Sequence, residues 1–307
     1  MATILAAAAA VTLTVNTTTL SGRAWVRVTY SGLPVPTESF FGIFYPGDCD
    51  VSPVAALPYP AEAPFIATAA SSWIDCSAMP GCLATGAGFY DFELTNSFMT
   101  ASIKVFGGGE SKPVLLASSP IITFTDAMMP TRGHLARVAD PTEMLVVWHS
   151  AFDDADAMVV WGPTAGGPYS SNASSEAATY EREDLCGFPT SVATSVGWSS
   201  PFFWHSARVT GLVPGSRDVV YYRYGSATHG WSDELSFIAP PPVGPNVAIN
   251  VLAIADMGMT PYDGTQNHWQ EPMAGNTTQH MIDFAQSGTG YDYSLALHAG
   301  DIVYSTG

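Results

Sequence analysis

Ala248-Ile249-Asn250-Val251-Leu252-Ala253-Ile254-Ala255-Asp256-Met257-Gly258 is a short apolar run that ends in a carboxylate beside a glycine, and Leu295-Ala296-Leu297-His298-Ala299-Gly300-Asp301-Ile302-Val303-Tyr304 is a second. Runs of this composition form strands buried on both faces. Between them, Asn276-Thr277-Thr278-Gln279-His280-Met281-Ile282-Asp283-Phe284-Ala285-Gln286-Ser287-Gly288 has polar N-cap candidates in front and Gly288 behind, which predicts a short helix. Strand, helix, strand is a right-handed crossover, so the two strands run parallel and their carboxyl ends share one edge of the sheet. Asp256 and Asp301 then face one crevice, at the edge where open α/β sheets place ligands.

Two carboxylates brought together repel and raise each other's pKa unless a positive charge lies between them, and a metal ion supplies it. Tyr304, three residues beyond Asp301, adds a phenol that becomes a ligand only where a strong Lewis acid displaces its proton. Aspartate with phenolate points to a hard ion such as ferric iron over calcium or magnesium.

Asp256-Met257-Gly258 followed by Gly300-Asp301-Ile302-Val303-Tyr304 resembles the first two of the five metal-binding blocks of the purple acid phosphatases, calcineurin-like metallophosphoesterases. The resemblance implies a dinuclear centre of Fe(III) and a divalent Fe, Zn or Mn. Asp256 and Tyr304 would bind the ferric ion, and Asp301 would bridge the pair. The family usually has Gly where this chain has Ala255, and His298 is read as a strand residue and not a ligand. The later blocks, an Asn-His pair and a Gly-His-x-His, belong many residues beyond Tyr304, whereas the sequence stops at Gly307. The chain therefore resembles the N-terminal part of a longer enzyme, and on its own it is expected to be inactive.

Upstream, the pattern is β throughout. Arg23–Tyr30, Phe40–Phe44, Gly88–Leu94 and Ala101–Phe106 alternate or run apolar between Gly and Pro signals, which predicts an antiparallel sandwich over 12–126. The Pro-rich stretch Pro53–Pro64 reads as a loop. No cluster of His, Cys or acids stands out in this first domain, so it reads as a scaffold or binding module, similar in layout to the extra immunoglobulin-like domain of large plant-type purple acid phosphatases. Met128–Leu135 reads as the linker into a second β-domain over 127–239, with strands at Met144–Trp148, Ala157–Gly162, Trp204–Val209 and Val219–Gly225 and a closing stretch Trp231–Phe237. That layout resembles the fibronectin III-like domain that precedes the catalytic domain in the same family. Its aromatics are read as core, and His134, His149, His205 and His229 lack ligand spacing. Ala239–Pro245 is a stiff spacer, with the linker proper at 240–245, and 246–307 is the start of an α/β metallophosphoesterase sandwich. The loop Thr260–Gly275, which holds Asp263, His268 and Glu271, would lie beside the metal edge, and His268 is read as a solvated side chain outside the site.

A net charge of −17 with only ten Lys and Arg excludes general nucleic-acid affinity, which needs a basic footprint. Hydrophobic content of 47% is enough to build packed cores. Residues 1–15 read either as a signal remnant lacking the usual positive start or as the first strand, with Val11–Val15 already alternating. No later apolar run is long enough to span a bilayer. Sequons at Asn16, Asn172 and Asn276 and the acidic balance fit a secreted, vacuolar or extracellular glycoprotein. Of four cysteines, Cys49, Cys76, Cys82 and Cys186, the three in the first domain are expected to include one disulfide pair, with the connectivity open.

Three functions follow as expectations. The first is an acid phosphatase acting on small phosphate monoesters, with a homodimer compatible with the resemblance. The second is a β-sandwich binding or adhesion module carrying a degenerate catalytic remnant. The third is a phosphodiesterase or nucleotide pyrophosphatase of the same superfamily.

Overall fold

The computed structural model describes residues 10–48, 72–109, 113–184, 200–255, 257, 262–265, 274–286 and 293–300. Pro53–Pro64, Cys49, Cys186, His268 and Glu271 lie outside the described residues. The first domain contains β1 (Thr12–Val15), β2 (Thr19–Leu20), β3 (Arg23–Ser31), β4 (Phe40–Phe44), β5 (Ser72–Asp75), the short helix α1 (Cys82–Thr85), β6 (Gly88–Thr95), β7 (Ser102–Gly107), β8 (Val114–Ser118) and β9 (Thr123–Phe124). Two sheets, ordered β1-β3-β6 and β5-β4-β7-β8, enclose a core of Val26, Val28, Tyr30, Phe41, Ile43, Phe92, Leu94, Ile103 and Val105. In β3, exposed Arg23, Trp25 and Arg27 alternate with less exposed or buried Ala24, Val26 and Val28, as period-two patterning on a half-covered sheet requires. Strand β4, by contrast, is buried along its whole length, because Phe40 and Phe44 join Trp73 and Phe106 in a second cluster apart from the main core. Burying side chains of this size contributes about 2–3 kcal/mol each. Cys76 and Cys82 form the expected disulfide within the first domain.

The second domain contains β10 (Thr131–Arg137), β11 (Met144–Ser150), β12 (Met158–Gly162), β13 (Ser171–Ser174), β14 (Glu176–Ala178), β15 (Phe203–Val209), β16 (Val219–Ser226), β17 (Gly230–Trp231) and β18 (Leu235–Ile238). Its sheets are β10-β11-β15-β14 and β13-β12-β16-β17, with β18 also on β16. The aromatics are core, as read: Trp148, Trp161, Tyr222 and Tyr224 are all buried, and Trp148 stacks between His205 (5.3 Å) and Tyr224 (5.4 Å).

Two expectations change here, and one stretch gains detail. The stretch Met128–Leu135 is not a linker throughout, because from Thr131 it is strand β10. The irregular register between Thr131 and His134 breaks the alternation that would have signalled a strand. The closing stretch Trp231–Phe237 is two strands, because the Ser232 hydroxyl accepts the Tyr224 N–H at 3.1 Å and interrupts the ladder. The proline spacer begins on the second domain itself, where the Pro240 carbonyl accepts the Gly215 N–H at 2.8 Å and Ala239 is buried.

The third segment is β19 (Asn250–Ala255), helix α2 (Ala274–Gln286) and β20 (Tyr293–Ala299), with β19 and β20 paired in parallel as expected. Helix α2 starts earlier than read, so Asn276 and Thr277 lie in its first turn and not before it. First-turn N–H groups have no intrahelical acceptor, so residues of low helix propensity cost little there. The expectation of burial on both faces is not met either. Leu297 is 50% exposed and Phe284 on α2 is 49% exposed, since among the described residues this sheet has two strands.

Candidate metal centre

The register of the parallel pair sets the geometry of the site. Ala255, the last residue of β19, pairs with Ala299, the last residue of β20. Asp256 follows Ala255 directly, and Asp301 follows Ala299 after Gly300, whose φ of +86° suits a residue without a Cβ. The chain thus runs into both carboxylate motifs from one end of one strand pair. Asp256, Asp301 and Tyr304 themselves lie outside the described residues. Ala255 is exposed, so its departure from the family's usual glycine places a methyl group where space is open.

Two side chains hold the middle of the first motif. His298 Nε2 accepts the Met257 backbone N–H at 3.3 Å, and the Thr278 hydroxyl of α2 lies 3.6 Å from the Met257 sulfur. His298 therefore carries no proton on Nε2 and acts through the backbone of the motif. Sequence reading left it as a plain strand residue. Its position one strand across from Ile254 is the signal that could have found it.

Asp263 is a second residue that sequence reading passed over. It is only 6% exposed, and besides Thr265 its partners are 170 and 173 residues away on β6 of the first domain. No local pattern encodes a contact of that span.

The histidines of the second domain are engaged elsewhere. His149 Nδ1 accepts from Arg132 at 2.8 Å and its Nε2 donates to the Pro201 carbonyl. Burial holds the His149 pKa below the ordinary imidazole value. His205 is bonded at both nitrogens, to Ser175 and to the Phe152 carbonyl, each at 2.9 Å. His229 contacts the Asp154 carboxylate at 2.8 Å and stacks on Phe152. Among the described residues no group of three or more His, Cys, Asp or Glu side chains could hold a metal ion. The three sequon residues Asn16, Asn172 and Asn276 are all exposed. Among the described residues no helix is long and apolar enough to cross a membrane.

Two carboxylates and one phenol would suit a hard, highly charged ion. Known proteins agree with the fold that leads to it. The family model described as Fn3-like domain from Purple Acid Phosphatase matches residues 9–126, and that described as Purple acid Phosphatase, N-terminal domain, matches residues 130–239. A protein of Arabidopsis thaliana named "Probable inactive purple acid phosphatase 27" is 28% identical over 288 residues, covering 92% of this chain and 46% of its own length. The one named "Probable inactive purple acid phosphatase 1" is 28% identical over 289 residues, with 92% and 45% covered. The solved purple acid phosphatase from yellow lupin (Lupinus luteus) seeds shares the fold with a TM-score of 0.80 at 23% identity, over 94% of this chain and 56% of that one. The chain spans about half the length of the curated relatives it matches. With both sandwiches matched by models of one family and relatives named for that family along nearly all of its length, the chain belongs to the purple acid phosphatases.

Proposed function

We propose that the protein containing this chain is a metal-dependent acid phosphatase acting on small phosphate monoesters. The observation that carries this reading is the pairing of Ala255 with Ala299, which leads two motifs of the family's metal site off one edge of a parallel strand pair. Asp256 and Tyr304 are the ligands assigned to a ferric ion, and Asp301 is assigned to bridge it to a divalent Fe, Zn or Mn. Such a pair of ions would supply positive charge for the phosphoryl oxygens and lower the pKa of the attacking water. The chain's own contribution is to fix the carboxylates. His298 holds the backbone at Met257, and Gly300 turns the chain out of β20.

The test is Asp301→Asn in the full-length protein. Loss of iron and a fall in phosphatase activity of more than about 100-fold, beyond what loss of a supporting partner costs, is the expected result. Unchanged metal content and activity would sink the assignment.

A second reading has its own observation, the words "probable inactive" in the names of the Arabidopsis relatives. On that reading the protein binds a partner through its β-sandwiches without turning over a phosphate ester. Wild-type protein that takes up no iron and hydrolyses no phosphomonoester favours it. Secretion and glycosylation at the exposed Asn16, Asn172 and Asn276 are part of the proposal, and a mass shift removed by a glycosidase tests them.

A further inference from the structure

Tyr262–Thr265 begins five residues beyond Met257 in sequence, yet its partners belong to the first domain. Among the described residues strand β6 ends its sheet, so one edge of its backbone has no neighbouring strand there. On that edge the Glu93 N–H donates to Asp263 Oδ2 at 2.8 Å, and the Thr95 N–H donates to the Tyr45 hydroxyl at 3.2 Å. Asp263 Oδ1 accepts from the Thr265 N–H (2.9 Å) and hydroxyl (2.7 Å), and its backbone carbonyl accepts from the Tyr90 hydroxyl at 2.5 Å. A free sheet edge invites stray pairing, and a buried carboxylate is costly unless its oxygens are bonded. Each supplies what the other lacks.

Two further contacts fix the same segment. Gly264 has φ +78°, and a Cβ there would lie 3.0 Å from the Tyr90 hydroxyl, so any other residue would be strained and would press on Tyr90. The Arg23 guanidinium, held by Glu93 at 2.6 Å, lies over the Tyr262 ring at 4.6 Å. Backbone, carboxylate and ring are thus each gripped by β3 or β6.

We propose that the first domain is a positioning platform for the chain at Met257, where it leaves β19, and that Asp263, docked on the edge of β6, is the positioning residue. The chain leaving β19 is tied at two points, by His298 at Met257 and by β6 at Asp263. Met257 is the middle residue of the motif Asp256-Met257-Gly258 and stands six residues before Asp263. The assignment of that motif as a metal block rests on the proposed function, whereas the docking does not.

Amide exchange on the folded, metal-free protein separates the two. In Asp263→Ala the Thr265 and Met257 amides should exchange about tenfold faster or more, with Val26 and Phe92 in the first core unchanged. Asp263→Asn keeps one oxygen that can accept the Glu93 N–H but sets its NH2 against the Thr265 N–H, so it should restore most of the protection at Met257 and not at Thr265. If Thr265 is freed but Met257 is not, Asp263 is only a tie between domains and the positioning role is wrong. If neither changes, the docking itself is absent. Should Asp263→Ala unfold the first domain, Tyr90→Phe removes one hydrogen bond while keeping the buried ring, and must speed exchange at the same two amides to a smaller extent. Failure of the metal reading shows separately, as iron content that ignores Asp301→Asn while the exchange pattern stands.

Discussion

His298 Nε2 accepts the backbone N–H of Met257 at 3.3 Å, so a side chain of β20 holds the residue between the two ends of the first motif on β19. The bond crosses between two strands already paired through Ile254 and His298. It adds a tie where the ladder stops and the motif begins. Replacing His298 by Ala leaves the Met257 N–H without this acceptor and frees the backbone beside Asp256. A group that orients a metal ligand from behind typically changes metal affinity about 10–100-fold. We expect His298→Ala to weaken iron binding by that factor in the full-length protein, with unfolding of the two β-sandwiches unchanged. His298→Gln, which offers a carbonyl oxygen, should recover part of the loss. An iron titration beside a thermal melt separates a local effect from a global one.

At the junction of the first and second domains the protonation state of a histidine is set by its partners. Arg132 can only donate, so His149 Nδ1 bears no proton, and the other nitrogen donates to Pro201. His149 is thus neutral, packed between Phe98 and Trp204, and burial keeps its pKa below 6.5. The unfolded chain takes up a proton near pH 6.5 and the folded chain resists it. Stability is therefore full above pH 6.5 and falls as pH drops from there toward the folded pKa. The slope is at most about 1.4 kcal/mol per pH unit. Urea midpoints between pH 7.5 and 5 should show this decline in the wild type and a flatter one in His149→Gln. Equal slopes in both would show that His149 does not carry it.

The elements that sequence disclosed most fully are those whose information is local. Arg23–Ser31 alternates because one face of β3 is covered, and Phe40–Phe44 runs apolar because both of its faces are. The apolar runs before the two carboxylate motifs likewise announced a parallel strand pair. What stayed hidden depends on distant partners. Asp263 sits in a polar loop like any solvated aspartate, and only the free edge of β6, 170 residues earlier, makes it a buried anchor. A pairing among Cys49, Cys76 and Cys82 was foreseeable, but the choice of Cys76 with Cys82 needed the turn that starts at Cys76 and leads into α1, which brings their Cα atoms to 5.4 Å. Strand β10 escaped notice because its bulge spoils the alternation on which strand recognition depends.

That bulge yields a prediction of its own. Arg132 has φ +54°, and the irregular register beside it carries the Gly133 backbone onto the edge of the Tyr224 ring. The Gly133 N–H donates to the Tyr224 hydroxyl at 3.0 Å, and a Cβ at Gly133 would lie 2.2 Å from the ring. Tyr224 cannot move aside freely, because it is buried and stacked on Trp148. Gly133→Ala should therefore destabilise the second domain by about 2–3 kcal/mol, in the range for overpacking a filled core. Tyr224→Phe removes only the acceptor of one hydrogen bond and should cost about 1 kcal/mol. The clash involves ring carbons, so Phe at 224 does not relieve Gly133→Ala, whereas Tyr224→Ala does. In that background the glycine substitution should add less than about 0.5 kcal/mol, the limit within which independent sites sum. Chemical denaturation of the three single and two double variants reads the coupling directly, and a neutral Gly133→Ala would mean that Gly133 does not press on the Tyr224 ring.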